Sequence, residues 1–160
     1  MAKIKDKFLE TAPGGGGGVL YALKTTGFST TSTSLVTVTN FSLPVEANKT
    51  YLVTYDIKIR KTGDANEYAK LSFSIPSDSY INGSSWAIAF GTISNTIAFE
   101  NATGGDKDIF NVSMPNLSVG MIRGNVIITT NDAGTLFFKL NTQEGTITLH
   151  TGSFITMTEI

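Results

Sequence analysis

The chain has no cysteine. That removes disulfide scaffolds, Cys-ligated zinc, iron–sulfur clusters and thiol nucleophiles together. It has one histidine, His150, so a multi-histidine metal site is removed as well. Charge is scarce: Asp, Glu, Lys and Arg make up 16% of the 160 residues and the net charge is −1. A typical domain carries about a quarter of its residues charged. Neither a basic face for nucleic acid nor one for an anionic membrane is expected. No apolar run approaches the roughly 20 residues that span a bilayer as a helix. Met1 to Glu10 holds lysines but no apolar segment of the signal-peptide kind. The expectation is a soluble domain made inside a cell.

Neutral polar residues fill the space that charge leaves, with Ser and Thr forming roughly a quarter of the chain. Two regions differ in pattern. Residues 1–18 form an arm: Ile4, Phe8 and Leu9 are its apolar residues, Pro13 would stop any helical turn, and Gly14 to Gly18 are five consecutive glycines. Such an arm either remains unstructured or orders on a partner. From Val19 the pattern is that of strands. Tyr51, Val53, Tyr55, Ile57 and Ile59 alternate with Thr54, Asp56, Lys58 and Arg60, the period of a half-buried antiparallel strand. Tyr68–Ile75 repeats it more weakly, and Trp86–Phe90 and Thr96–Phe99 are short apolar runs of the buried-strand kind; with Val19–Thr25, Ser34–Phe41, Ile109–Met114, Met121–Thr130, Thr135–Asn141, Thr146–His150 and Phe154–Thr158 the total is about ten strands. Asn131–Gly134, Gln143–Gly145 and Thr151-Gly152 read as tight turns, so the last four strands are expected as an up-and-down set. Asn82-Gly83, Gly104-Gly105 and Asn116 mark longer loops. The expected fold is an all-β antiparallel sandwich, jelly-roll-like, over residues 19–160.

Motifs that could carry chemistry are few. The glycine run precedes a strand and lacks a closing Lys-Ser/Thr, so it is no phosphate loop. His150 shares the polar face of its strand with Thr146 and Thr148, and no Ser in a nucleophile elbow accompanies it. Asp106 and Asp108 in one Gly-rich segment, and Asp64, Asn66 and Glu67 in another, could offer oxygens to Ca²⁺, but neither has the spacing of a calcium loop. Tyr51 and Tyr55 belong to the apolar face, and Trp86 leads an apolar run, so all three read as core. Tyr80, placed in a loop, is the candidate for stacking on a sugar. No catalytic, cofactor-binding or metal site is assigned.

Two stretches resemble a known family. One is Phe41-Ser42-Leu43-Pro44-Val45-Glu46-Ala47-Asn48-Lys49-Thr50-Tyr51, leading into the long alternating strand; the other is Gly152-Ser153-Phe154-Ile155-Thr156-Met157-Thr158-Glu159-Ile160. Both resemble β-rich structural proteins of tailed-bacteriophage virions, among them capsid decoration, head-fibre and tail-associated proteins. Asn48 stands where that family usually has Gly, and Asn tolerates the left-handed backbone that such a turn needs. The resemblance implies a homotrimeric β-domain without catalytic residues, assembled in the host cytoplasm and located on the virion. Its partners would be the major capsid protein or other virion proteins, not nucleic acid or membrane. On this reading residues 1–18 anchor the domain to the shell through Ile4, Phe8 and Leu9, with Gly14 to Gly18 as tether. The alternative is a tail or fibre module that binds host-surface glycans through Tyr80. Ile155 and Met157 oppose Phe154 on the last strand, so that strand is expected to be covered on both faces, the second by another subunit.

Overall fold

The computed structural model describes residues 18–63, 67–89, 92–114 and 119–160, with 67–68, 84–89, 92–103 and 110–114 described by backbone alone. The fold is all-β, with ten strands and, among the described residues, no helix. In chain order they are β1 (Val19–Leu23), β2 (Phe28–Thr30), β3 (Val36–Val45), β4 (Lys49–Thr62), β5 (Glu67–Ala89), β6 (Thr92–Met114), β7 (Val119–Thr130), β8 (Gly134–Thr142), β9 (Thr146–Leu149) and β10 (Phe154–Glu159).

Strand β4 organises the molecule. Its alternation is realised in full: Tyr51, Val53, Tyr55, Ile57 and Ile59 are each 5% exposed or less. One edge pairs with β7 along its length, from Lys49↔Thr130 to Arg60↔Val119. The other pairs first with β10 and then with β9. The ladder runs β1-β10-β4-β7-β5-β8-β3, antiparallel at every step. It curls until its two ends meet. Lys24, just past β1 and 5% exposed, donates from Nζ to the Thr39 carbonyl of β3 at 2.7 Å. The result is a flattened, nearly closed sandwich.

Strands β5 and β6 form one long hairpin that serves both layers. Residues 69–74 of β5 pair with β8, whereas residues 80–89 pair with β7. Between them Pro76, which cannot donate to a ladder, and Asp78, at φ 58°, bend the strand. Here the sequence expectation needs correction. Tyr80, Asn82-Gly83 and Gly104-Gly105 are not in loops; they lie inside β5 and β6, where the register shifts mark bulges. Gly83 shows why the punctuation exists within a strand. Its φ is +138°, and a Cβ there would stand 2.4 Å from the Asn125 carbonyl oxygen. Backbone approaches backbone too closely for any side chain.

A second expectation also changes. Strands β7 to β10 are not an up-and-down set. β7 pairs with β4 and β5, β8 with β3 and β5, β9 with β2 and β4, and β10 with β1 and β4. At 131–133 and 150–153 the chain does not turn back on itself: β7 and β8 follow one another along one edge of β5, and β9 and β10 follow one another along one edge of β4. Turn residues there mark a break between consecutive strands on one edge.

The core lies between the layers. Phe41 of β3, Phe138 of β8, Phe73 of β5 and Tyr55 of β4 form a line of edge-to-face rings at centroid distances of 5.2, 6.1 and 5.2 Å. Each ring is 1% exposed or less. This line crosses from the β3-β8-β5 layer to β4. Phe138→Ala would open a cavity in its middle and is expected to cost about 3–5 kcal/mol, measured by urea unfolding. An unchanged midpoint would remove the line of rings as the joint between layers.

Candidate interaction face

The two stretches that carry the family resemblance occupy neighbouring positions in the fold. The first supplies the β3–β4 turn. Asn48 has φ 56°, the left-handed conformation expected of the residue that stands in place of Gly. The Tyr51 hydroxyl accepts the Glu46 N–H at 2.9 Å, and Thr130 donates its hydroxyl to the Glu46 carbonyl. The second stretch is β10, laid against β4 with Glu159↔Tyr51 and Phe154↔Asp56 in register. Lys49 of the first forms an ion pair with Glu159 of the second, and the Ile160 N–H donates to the Thr50 carbonyl at 2.9 Å. The Glu159 hydrogen bond and charge push the Lys49 ammonium above its ordinary 10.5.

Strand β10 also brings a sheet face into view. Ile155 and Met157 point into the core at 1% exposure each, and Phe154 lies on the opposite, outer face, half-buried. That face is formed by β1, β10, β4, β7 and the second half of β5. In its centre Arg123 donates from Nε to Asp56 Oδ2 at 2.7 Å, and Nη2 stands 2.6 Å from the same oxygen. Asp56 is 8% exposed, and its Oδ1 is enclosed without a hydrogen-bond partner among the described residues. Thr54, Asp56, Arg123, Asn125 and Phe154 line an open depression of about 310 Å³. Among the threonines and Asn125 of this face stand exposed apolar residues. Leu52 and Ile127 stand directly opposite each other on β4 and β7, 38% and 40% exposed. Val19 on β1 is 50% exposed and Tyr80 on β5 is 40% exposed.

The expected site residues are distributed unevenly. Ile4, Phe8, Leu9 and Gly14 lie outside the described residues, and Gly18 is exposed immediately before β1. Tyr80 is exposed as expected for a contact residue, though from a strand; its neighbours across the ladder are Thr103 and Thr129. Leu52 and Ile127 were missed. The available signal was Leu52 itself, an apolar residue on the otherwise polar face of an alternating strand.

The candidate calcium oxygens have other partners. Asp106 and Asp108 lie in β6, not in a loop. Asp106 pairs with Lys139 at 2.8 Å; Asp108 pairs with Lys70 at 2.8 Å and accepts from the Ser72 hydroxyl at 2.7 Å. Asp64 and Asn66 lie outside the described residues, as does the side chain of Glu67. His150 ends the β9–β10 turn: its N–H donates to the Lys58 carbonyl, and its carbonyl accepts the Ser153 hydroxyl at 2.8 Å.

No protein-family model and no curated protein matches the chain. Among solved structures, similarity is found to the VP2 protein of infectious bursal disease virus. Its subviral particle gives 17% identity and a TM-score of 0.24, covering 90% of this chain and 40% of that one. The Gt strain gives 15% and 0.25 over 90% and 42%, and the T=1 particles give 18% and 0.26 over 99% and 42%. The chain thus spans about two fifths of the length of these proteins. Superpositions at this level carry no argument about fold or function.

The Asp106–Lys139 pair has a pH signature. Burial by itself would raise the Asp106 carboxyl, but hydrogen bonds from Lys139 and Ser74 and the charges of Lys139 and Lys107 outweigh it, and the net shift is below 3.8. A lowered folded value adds stability that is complete above 3.8 and is lost as the pH falls through the lower folded value. Asp106→Asn should therefore flatten the acid side of the stability curve and change midpoint stability at neutral pH by less than about 1 kcal/mol, since the pair is solvent-screened. Urea titrations at several pH values below neutrality measure this; an unaltered acid slope would contradict it.

Proposed function

We propose that this chain is a non-enzymatic structural protein of a tailed-bacteriophage virion, a capsid decoration (cement) protein or head fibre. The observation that carries the reading is the meeting of the two resembling stretches. They are separated by 100 residues (Tyr51 to Gly152) yet form adjacent strands, joined by Lys49–Glu159 and by the Ile160–Thr50 backbone bond. Segments that share a structural role belong to one place in a fold; similarities arising by chance have no reason to be neighbours. The low charge and the absence of cysteine suit a protein assembled in a reducing host cell. Two of the acids that hydrolysis could draw on, Asp106 and Asp108, are held by lysines here.

In this reading residues 1–18 attach the domain to the shell. Ile4, Phe8 and Leu9 supply apolar contacts, and Gly14 to Gly18 give roughly 17 Å of adaptable reach at full extension. Where several copies join, their arms act together, so weak single contacts become firm attachment. Binding only to the assembled shell stabilises that shell by linkage. Tyr80, exposed on the sheet face, favours a second reading as a tail or fibre module that binds glycans; a glycan array without hits would count against it.

Removal of residues 1–18 should abolish sedimentation with purified shells while the circular dichroism and melting of the β-domain stay unchanged. Decoration of shells by the truncated chain would exclude the arm as anchor.

A further inference from the structure

We infer that the outer face of β1, β10, β4, β7 and β5 is the surface on which a second copy of this chain packs. The inference rests on this face alone and stands whether or not the protein belongs to a virion. Val19, Leu52 and Ile127 fall in one row across the ladder, with only Thr158 between the first two. All three are at least 38% exposed. Phe154 lies two rows further along. A row of exposed apolar residues on a sheet face that could have been wholly polar marks an interaction site. Between these residues the described side chains are neutral, except for Asp56 and Arg123, which neutralise each other.

Two features select a second copy as the occupant. The first is charge. Lys58 and Arg60 sit at one end of the face, on β4. At the other end the turns and the β5 bend hold Glu46, Asp78 and Asp132, all exposed. A copy laid in the opposite direction brings its basic end over this acidic end, and the neutral centre meets a neutral centre without like-charge opposition. The second is area. Ten residues each of β4, β7 and β5, with the five of β1 and the six of β10, present roughly 650 Å² at about 3.3 Å per residue and 4.8 Å between strands. Two such faces reach the lower part of the standard interface range. Sheet faces pack this way with strands nearly aligned.

The full-length chain is examined by native mass spectrometry and light scattering across micromolar concentrations. The wild type should be oligomeric, and Ile127→Glu should weaken assembly by at least roughly 30-fold, the effect of a central hot spot. The circular dichroism of that variant should remain native, because Ile127 points away from the core. Since the chain has no cysteine, Asn125→Cys adds a unique probe at the centre of the face. A bis-maleimide should link copies through Asn125→Cys and not through Ser34→Cys, which is exposed outside this face. A monomeric wild type overturns the proposal, as does an oligomer that Ile127→Glu leaves intact or that shows no cross-link at Asn125→Cys. If Ile127→Glu fails to fold, the cross-link decides alone.

Discussion

The two layers of this fold are held in one relation by the contact between Tyr55 and Phe73. Tyr55 belongs to β4, the strand on which β10, β9 and β7 all align. Phe73 belongs to the half of β5 that pairs with β8, and continues through Phe138 to Phe41. Loss of this joint would open a cavity between the layers, in a core that Val53, Ile57, Leu71 and Ile81 also fill. Close-packed rings convert a general tendency to bury apolar surface into a particular arrangement of strands. The outer face can carry unusual residues because the inner face is so fully specified.

What was legible in the sequence was the property that has a local period. The alternation from Tyr51 to Ile59 located β4 to within a residue or two and identified its buried side, and β10 was assigned the correct inward and outward residues. The left-handed turn at Asn48 was legible too, because Asn and Gly share a backbone freedom that other residues lack. The misreadings have one cause. Asn82-Gly83 and Gly104-Gly105 carry the residue types of loops, yet β5 and β6 use them as bulges in a continuing ladder. Pairing partners were equally hidden. Nothing near Asn131–Gly134 says that β7 and β8 follow one another along β5 instead of pairing with each other, because that is settled by where each strand finds cover. The candidate site followed the same rule: Phe154 was readable from its own strand, whereas the row formed with Val19 and Ile127 exists only after the register is set.

Three observations of different kinds bear on function. The resembling stretches are adjacent, Asp106 and Asp108 are paired with lysines, and one sheet face carries a row of exposed apolar residues with opposite charge at its ends. A building block needs surfaces. One lies on the outer sheet face, and the arm proposed as anchor would join it at Val19, on the edge of that face, so attachment and self-association would occupy neighbouring ground.

The central claim is that the protein is a stoichiometric part of a virion. The most direct measurement is its copy number in purified particles of the phage proposed to carry it, by quantitative mass spectrometry against the major capsid protein. The account predicts copies in a fixed ratio to the shell subunit, in the range expected of a decoration protein or head fibre. Absence from purified particles, with the protein abundant in infected cells, would contradict it.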